Sequence, residues 1–410
     1  MYDRPRKILV LSIWEKLWSM GEGSGVPDEL HFIRHLSERG IDIHYLIPRP
    51  VEKSKAPENS RLSYHTYPNI LRTIDHLPGP VKHPLQAAVL PLLVTGKLRD
   101  LAAEIKPDLI LGYSHHSLYP LNRVGRKFGI PTVAKFFGVM YLGRFDLPSP
   151  KYWWLNFDQV LALRFPVDHY VVLNDGTRGK MALTRLGIPS EKISFLPNGM
   201  SKEWIDLHVD ATEVRRSMGF PTEDILIVTF ARLVKSKRTE LFIEAASRID
   251  PALMDRVSFV VGGDGPERER LERKVRSLSL GDKVIFAGVI PYRDIARFLK
   301  ASDIFVGTNE LTNMSMPPCE AILCGVPVVA FDVPGTSEVV RDGETGLLAR
   351  DGDIEGLARK IELLVRNDEL RKRLGTQAAD FARKNFVSWD ERVGMELKII
   401  EGLFKRNTRT

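Results

Sequence analysis

The sequence predicts an α/β protein with two doubly wound domains, and three observations lead to this fold class. The chain has 410 residues, more than one hydrophobic core usually serves, so two domains of about 200 residues each are expected. Short apolar stretches alternate with stretches of helical length in both halves, which is the pattern of parallel sheets covered by helices. The turn signal Pro-Asn-Gly at 197–199 lies about halfway along the chain, and we place the domain junction there.

The first half opens with a strand, a glycine-rich loop, a helix and a second strand. Residues 7–13 and 41–47 are apolar runs, and 28–39 have the pattern of a helix that ends at Gly40. The loop at 21–25 precedes this helix, so Gly23, Ser24 and Gly25 are candidates for contact with a phosphate or a sugar. Its spacing departs from Gly-x-Gly-x-x-Gly, which argues against a dinucleotide cofactor.

The rest of the first half alternates in the same way. Residues 50–80 lack periodicity and are interpreted as an irregular connection. Strands are then predicted at 108–112, 132–137, 170–173 and 193–196, with helices that start near Leu118 and span 177–186.

The second half repeats the alternation. Strands are predicted at 225–230, 257–261, 284–286, 304–306 and 326–331, and helices at 239–249, 267–278, 292–301, 354–367 and 369–385. Ligands of such sheets bind outside the carboxyl ends of the strands, so the loops after Phe230, Val261, Phe286 and Val306 are expected to face one cleft.

The stretch 307–327 contains one short helix between two buried strands. Pro317 and Pro318 suit its first turn and Gly325 its end, which predicts a helix over about 318–324. The preceding loop would present free backbone amides to an anion. Glu320 has two interpretations that the sequence leaves open: an acid that complements the helix dipole, or a carboxylate that accepts hydrogen bonds from a ligand hydroxyl.

Two cations follow the strand that ends at Phe230. Arg232 and Lys237 lie just before the predicted helix at Thr239, so two positive charges and a positive helix end converge where a diphosphate could bind. Solvated surface charge is the alternative for an isolated pair, and their position after a core strand favours the functional interpretation. The run Gly-Gly-Asp-Gly-Pro at 262–266 is suited to a tight turn beside them.

Composition narrows the class of protein. A formal charge of +7 and a pI of about 9.2 suit a protein that binds nucleic acid, anionic lipid or a phosphate-bearing ligand. The sequence contains no recognisable nucleic-acid-binding motif, so no nucleic-acid partner is expected. Cys319 and Cys324 support neither a disulfide framework nor a zinc site, so a reducing cytoplasm fits.

Two further features have competing interpretations. Residues 85–105 combine apolar positions with flanking cations, so they could lie on a membrane surface, although packing on their own domain is favoured. His115 and His116 follow the strand at 108–112 and could face the cleft, but adjacent loop histidines are more often solvated than catalytic.

Together these loops resemble the glycosyltransferase family 4 enzymes of the GT-B fold, which are retaining enzymes that use nucleotide-sugar donors. The resemblance covers nearly the whole chain. Its most specific parts are Phe-Ala-Arg-Leu-Val-Lys-Ser-Lys at 230–237, Gly-Gly-Asp-Gly-Pro at 262–266 and Cys-Glu-Ala-Ile-Leu-Cys-Gly-Val-Pro-Val-Val at 319–329. Leu-Pro-Asn-Gly at 196–199 and Asp-Gly-Glu-Thr-Gly-Leu-Leu at 342–348 also match.

The resemblance implies an acceptor-side domain at 1–199, a donor domain at 200–387 and a helix at 388–410 that crosses back to the first domain, with the two domains facing a cleft. It implies that Arg232 and Lys237 hold the donor diphosphate and that Glu320 binds the ribose. The other donor-side candidates are Thr312, Asn313, Met314, Ser315, Met316, Gly288 and Gly263. The acceptor or phosphate side would contain Gly23, Ser24, Gly25 and Lys135. Neither a cofactor nor a metal is expected, because the nucleotide-sugar is a substrate.

Two positions differ from the family pattern. The family often has two glutamates separated by seven residues, and Thr312, followed by Asn313, stands in the first of these places. A His before Gly commonly ends a strand of the first domain, and Phe137 stands there. Lys135, Asn313 or a substrate group would have to replace these contacts, or activity is lost.

The expected function is transfer of a hexose-type sugar from a UDP- or GDP-sugar to a glycan, lipid-linked or small-molecule hydroxyl, in the cytoplasm or at the inner face of its membrane. A catalytically silent nucleotide-sugar binding subunit and a GT-B nucleotide-sugar epimerase are the alternatives.

Overall fold

The computed structural model describes residues 5–13, 27–49, 59–69, 79–138, 157–173, 179–310, 316–333 and 335–407. Among them, the residues up to Gly199 and those from Trp389 onwards form one compact unit, and Met200–Ser388 form the other. Each unit contains a parallel β-sheet covered by helices, as the alternating pattern predicts.

The first unit has a seven-stranded parallel sheet in the order β3-β2-β1-β4-β5-β6-β7. Its strands are β1 (Lys7–Leu11), β2 (Asp42–Pro48), β3 (Leu62–Tyr67), β4 (Leu109–Tyr113), β5 (Thr132–Phe136), β6 (His169–Leu173) and β7 (Ile193–Leu196). Its helices include α1 (Pro27–Glu38), α2 (Gly79–Ile105), α3 (Leu118–Phe128), α4 (Phe157–Ala162) and α5 (Gly179–Arg185).

One element of this unit was not predicted. Strand β3 and the start of α2 lie within 50–80, which the sequence presented as an irregular connection. Strand β3 is at the edge of the sheet and most of its side chains are partly exposed, so it mixes polar and apolar residues instead of forming an apolar run. The interpretation of the region as irregular is therefore wrong for Leu62–Tyr67.

The second unit has a six-stranded parallel sheet in the order β11-β10-β9-β12-β13-β14. After the short β8 (Gly199–Met200), its strands are β9 (Ile225–Phe230), β10 (Val257–Gly262), β11 (Val284–Gly288), β12 (Ile304–Gly307), β13 (Val328–Asp332) and β14 (Gly346–Arg350), followed by the short β15 (Val387–Ser388). Its helices are α6 (Ala211–Met218), α7 (Thr239–Ala246), α8 (Arg268–Ser277), α9 (Tyr292–Lys300), α10 (Met316–Leu323), α11 (Ile354–Arg366) and α12 (Asp368–Asn385).

The last helix, α13 (Trp389–Asn407), returns to the first unit. The Trp389 indole stacks on the His31 ring, with centroids 5.1 Å apart, and an added Cβ at Gly199 would lie 2.4 Å from the indole. Val393 and Leu397 join the hydrophobic core beside β1 and β4. The predicted crossing of the terminal helix is confirmed.

The strand order reverses between β1 and β4 in the first unit and between β9 and β12 in the second. In doubly wound sheets, ligands bind where such a reversal opens a crevice at the carboxyl ends of the strands. The residues that follow Phe230 and Gly307 therefore lie at the favoured position in the second unit.

Candidate functional site

The loops at the carboxyl ends of β9, β10, β11 and β12 are joined by hydrogen bonds. The backbone N–H of Leu233 donates to the Asp264 carbonyl (2.9 Å), and that of Gly263 donates to the Gly288 carbonyl (2.6 Å). The Thr308 hydroxyl donates to the Lys237 carbonyl (3.0 Å). Four strand ends thus form one connected surface, which holds the side chains on it in fixed positions.

Gly263 allows two of these loops to approach each other. Its φ of +109° lies in the region that favours glycine, and an added Cβ would lie 1.9 Å from the Ala231 carbonyl oxygen. A glycine is therefore required at 263 because any side chain would collide with the loop that follows β9. Direct contact of Gly263 and Gly288 with a ligand stays a prediction.

Arg238 was not singled out from the sequence, yet it connects the loops that follow β9 and β12. Its guanidinium donates to the carbonyls of Thr308 and Asn309, each at 2.9 Å, and to Asp351 at 2.7 Å. Hydrogen bonds from a side chain to backbone carbonyls about 70 residues away produce no periodic pattern in the sequence. The cluster of positive charge around Lys237 was the only available clue.

Arg232 and Lys237 lie on the same surface, at the end of β9. The Arg232 side chain is exposed and that of Lys237 is half-buried. Burial lowers the pKa of the Lys237 ammonium. No carboxylate pairs with either side chain in the part of the chain that the structure describes. Helix α7 begins two residues after Lys237, so two cations and a helix N-terminus meet without a protein anion.

Glu320 lies in the middle of α10, not in its first turn. The predicted short helix is confirmed, and it begins at Met316, two residues before the expected start near 318. Glu320 is 4% exposed, and burial raises its pKa to about 8. A mostly neutral acid one turn inside a helix contributes little to the dipole, which removes the first interpretation. No described residue donates a hydrogen bond to this carboxyl, and burial is the one cause of the raised pKa.

Several predicted residues lie outside the described part of the chain. They are Thr312, Asn313, Met314 and Ser315 beside α10, and Gly23, Ser24 and Gly25 in the first half. Their assignment to donor, phosphate or acceptor contacts stays a prediction. Met316 is described and is the first residue of α10.

Lys135 lies in the centre of the first unit. Its side chain is fully buried on β5, its ammonium donates to Glu396 of α13 (3.0 Å), and it lies 4.9 Å from the centre of the Phe32 ring. Glu396 also accepts from Arg392 (2.5 Å). A buried ammonium with a buried carboxylate partner is typical of a structural ion pair. We therefore assign Lys135 to the core of the first unit and not to the acceptor or phosphate side.

His115 and His116 form a 3₁₀ turn after β4 with Ser117. The His115 Nε2 lies 3.2 Å from Oδ2 of Asp158 on α4. Burial alone would raise the pKa of Asp158, but the hydrogen bond and charge of His115 hold it below the ordinary value. One ligand atom from each of His115, His116 and Asp158 lies within 4.8 Å of the others. His115 is thus a hydrogen-bonded residue of the first unit and not a solvated one.

Two family models match the two halves of the chain. The model described as Glycosyltransferase Family 4 matches residues 30–204, and the one described as Glycosyl transferases group 1 matches residues 210–381. The chain belongs to glycosyltransferase family 4. The family assignment agrees with the resemblance carried by the motifs at 230–237, 262–266 and 319–329.

Relatives and solved structures agree with this family. The N-acetyl-alpha-D-glucosaminyl L-malate synthase of Bacillus anthracis is 28% identical over 44% of this chain, and the match spans about half (46%) of that relative. The D-inositol 3-phosphate glycosyltransferase of Acidothermus cellulolyticus is 27% identical over 95% of this chain and 88% of its own. Anabaena HepE in complex with UDP and glucose is 20% identical, has a TM-score of 0.72, and covers 96% of this chain and 99% of its own. These likenesses confirm the GT-B fold.

Phe137 is the clearest departure from the family 4 pattern in the described residues. Its ring stacks on that of Tyr113, with centroids 5.7 Å apart and planes at 7°. An aromatic ring stands at the position where the family commonly has the imidazole that contacts the donor sugar. Any such contact in this family member has to come from another group.

Proposed function

We propose that this family 4 protein is a retaining glycosyltransferase that moves a hexose-type sugar from a nucleotide-diphosphate donor, and that the donor diphosphate binds Arg232 and Lys237. The observation that carries the proposal is the Lys237 ammonium, which is half-buried and has no carboxylate partner among the described residues. Burying a cation without an anion is unfavourable, so a site of this kind is suited to an anionic ligand.

The two cations would act when the nucleotide diphosphate leaves. As the bond from the sugar C1 to the diphosphate oxygen breaks, negative charge builds on the phosphate, and fixed donors stabilise it without reorganising. Because Arg232, Lys237 and the α7 N-terminus supply positive charge there, the proposed reaction needs no metal ion. In the front-face mechanism usually proposed for the family, the departing phosphate oxygen takes the proton of the acceptor hydroxyl, and the new C1–O bond forms on the same face.

Glu320 would bind the ribose of the nucleotide. Its carboxyl is buried and no described group donates to it, so two ribose hydroxyls would supply hydrogen bonds that the protein does not. Hydrogen bonds donated to a carboxylate stabilise its ionised form. Donor binding would therefore lower the pKa of Glu320 and release a proton.

A UDP-hexose is the donor that we place first, and a GDP-sugar second. Anabaena HepE, which shares the fold, has been solved with UDP and glucose. The acceptor would be a glycan, a lipid-linked sugar or a small-molecule hydroxyl. Relatives named for L-malate and D-inositol 3-phosphate favour the small-molecule class.

The test is the shift in melting temperature with saturating UDP, GDP and ADP. A ligand at 100 times its dissociation constant adds about 2.7 kcal/mol to stability. We expect UDP to give the largest shift, Lys237→Ala to abolish it, and Lys235→Ala, an exposed lysine in the same 3₁₀ turn, to preserve it. The absence of a shift with all three nucleotides would contradict the donor site.

Product formation then separates the proposal from its alternatives. A transferase forms product only when an acceptor is present. A silent binding subunit shows the melting shift but no product, and an epimerase converts the donor with no acceptor. Either of these results would replace the transferase assignment while preserving the nucleotide site.

A further inference from the structure

A second site of positive charge lies in the first unit, between α2 and α3. It is a cavity of about 520 Å³ lined by four cations, Arg99, Arg123, Arg126 and Lys127, together with Thr95 and Tyr119. No carboxylate lines it. A volume of this size accommodates a phosphorylated headgroup.

The spacing of these residues aims both helices at the cavity. Tyr119, Arg123, Arg126 and Lys127 follow one stripe of α3, at the positions i, i+4, i+7 and i+8. Thr95 and Arg99 follow one stripe of α2, at i and i+4. A charge cluster that is only a solvated helix face lies on a single element, whereas here two elements converge on one volume.

Most of the positive charge in the cavity is uncompensated. Arg99 donates to Asp100 through Nε (3.1 Å) and Nη2 (2.9 Å). Arg123 and Arg126 have no ion pair within the described residues, and Lys127 lies only over the Phe128 ring, at 5.5 Å. The cavity is therefore suited to an anion with more than one negative charge.

Exposed leucines precede the cavity residues on α2. Leu92, which is 65% exposed, lies two turns before Arg99 on the same face, and Leu93, 42% exposed, lies beside it. The opposite face of α2, with Leu90, Val94 and Leu98, packs into the core. Apolar side chains that project into solvent near uncompensated cations are the combination that binds the surface of an anionic bilayer.

We propose that this α2–α3 surface binds an anionic phospholipid membrane, with a lipid phosphate in the cavity and Leu92 and Leu93 inserted between headgroups. The contact is peripheral, because no helix within the described ranges is both long and apolar enough to cross a bilayer. Nucleic acid fits less well, since Tyr119 packs edge-on against Phe165 at 4.8 Å and is not free to stack on a base. This inference does not depend on the proposed donor site.

The position of the surface agrees with an attachment role. Arg123, Arg126 and Lys127 lie in the last turns of α3, which runs back from the carboxyl end of β4, and Arg99 lies near the end of α2, which leads into the start of β4. The cavity is thus towards the amino ends of the strands. The carboxyl-end loops of this sheet, where substrates of doubly wound folds bind, stay open.

The test is co-flotation of the full chain with vesicles of phosphatidylcholine alone and of equimolar phosphatidylcholine and phosphatidylglycerol. We expect binding to the anionic vesicles only, and loss of binding at high salt. Arg123→Gln with Arg126→Gln should lower the partition constant about fivefold for each charge removed. Leu92→Ser should lower it roughly tenfold. Both arginines and the leucine are exposed, so the variants should fold.

A matched pair of variants removes two equivalent charges from the other unit. Arg216→Gln with Arg273→Gln, both exposed, should leave vesicle binding unchanged. Equal losses in the two double variants, or equal binding of wild type and Arg123→Gln/Arg126→Gln, would overturn the proposal. A melting shift with inorganic phosphate that needs Arg123 and Arg126, without vesicle binding, would assign the cavity to a soluble ligand instead. Oligonucleotide binding that needs these arginines, again without vesicle binding, would assign it to nucleic acid.

Discussion

Glu320 and Glu396 are both almost fully buried carboxyls on helices, but their surroundings differ. Glu396, in the first unit, accepts hydrogen bonds from Lys135 (3.0 Å) and Arg392 (2.5 Å). Glu320, in the second unit, has no donor among the described residues, and burial raises its pKa to about 8. The two sites show two ways in which a folded chain keeps an acid away from water.

The difference separates structural charge from ligand-binding charge. The charge of a buried carboxylate that already has two cationic partners is compensated within the protein, and removing a partner is expected to damage the fold. Under the proposed function, the buried Glu320 without a donor and the half-buried Lys237 without an anion would each gain a partner from the ligand. The same contrast separates Lys135 from Lys237.

The largest expected effect is that of Lys135→Met. This change leaves Glu396 with Arg392 alone, and breaking a buried ion pair of this kind costs about 3–5 kcal/mol of unfolding free energy. Urea denaturation monitored by circular dichroism measures the loss. Lys192→Met, an exposed lysine in the same unit, should change it by less than about 0.5 kcal/mol.

Glu396→Gln added to Lys135→Met should increase the loss further, because it leaves the buried Arg392 guanidinium without its carboxylate partner. A cost no larger than that of Lys192→Met would show that Lys135 and Glu396 are not coupled. The contrast with Glu320 would then fail.

The change Lys237→Ala should lower activity and leave stability intact, the opposite of Lys135→Met. It removes a cation that would stabilise the leaving diphosphate, so we expect kcat to fall about 100- to 1,000-fold. Unfolding free energy without ligand should stay the same or rise slightly, because a desolvated ammonium without a partner is removed. Steady-state kinetics and denaturation of the same preparation measure both quantities.

Lys235→Ala is the matched control for this prediction, and it should leave kcat and stability unchanged. If Lys237→Ala destabilises the free protein as much as Lys135→Met does, its role is structural. The distinction between the two lysines would then be lost.

A third prediction concerns the contribution of Glu320 to the pH dependence of stability. The pKa of Glu320 rises from the ordinary value of 4.5 to about 8 on folding. Between these values the unfolded chain ionises while the folded chain holds its proton. Unfolding free energy should therefore fall as pH rises through this window and level off above it. Glu320→Gln should remove most of this slope.

Thermal denaturation at several pH values measures the slope, and Glu223→Gln, an exposed acid in the same unit, should leave it unchanged. Calorimetric titration with UDP in buffers of different ionisation enthalpy should show proton release near neutral pH, if ribose hydroxyls stabilise the carboxylate. Parallel stability curves for wild type and Glu320→Gln would mean that the carboxyl has a partner and that the contrast with Glu396 is mistaken.

The sequence predicts the sheets better than it predicts the charges. Strands such as β9 and β10 are buried on both faces, so their β-branched apolar runs can be recognised in the sequence without knowing which strands lie beside them. Strand β3 was missed because most of its side chains are only partly buried and its pattern is mixed. Parallel order follows from the alternation of strands and helices, which local sequence carries.

Partners distant in sequence decide the roles of the charged residues. Lys135 and Glu396 are 261 positions apart, and no local pattern predicts that they form a buried pair. Arg232, Lys237 and Glu320 were selected as candidates because each follows a core strand or lies on the short helix after one, and the motifs identified the family; their roles stay predictions. The burial of Glu320 could not be predicted, since it depends on the packing of α10 against the sheet.

The smallest expected effect is that of Phe137→His, which restores the family's imidazole beside the first-unit ion pair. The ring stacks on Tyr113 and lies 5.8 Å from the Lys135 ammonium, so the change should cost about 1 kcal/mol of stability through a weaker aromatic contact. If the donor sugar reaches this position, the imidazole should also raise kcat by donating a hydrogen bond to it.

The control variant is Phe136→His, a buried neighbour that stacks on Tyr170, which should cost more stability and give no gain in kcat. A rise in kcat with Phe137→His and a flat response to Phe136→His would show that the first unit contributes to catalysis as well as structure. No rise, with normal UDP binding, would mean that catalysis rests on Arg232, Lys237 and the substrate itself.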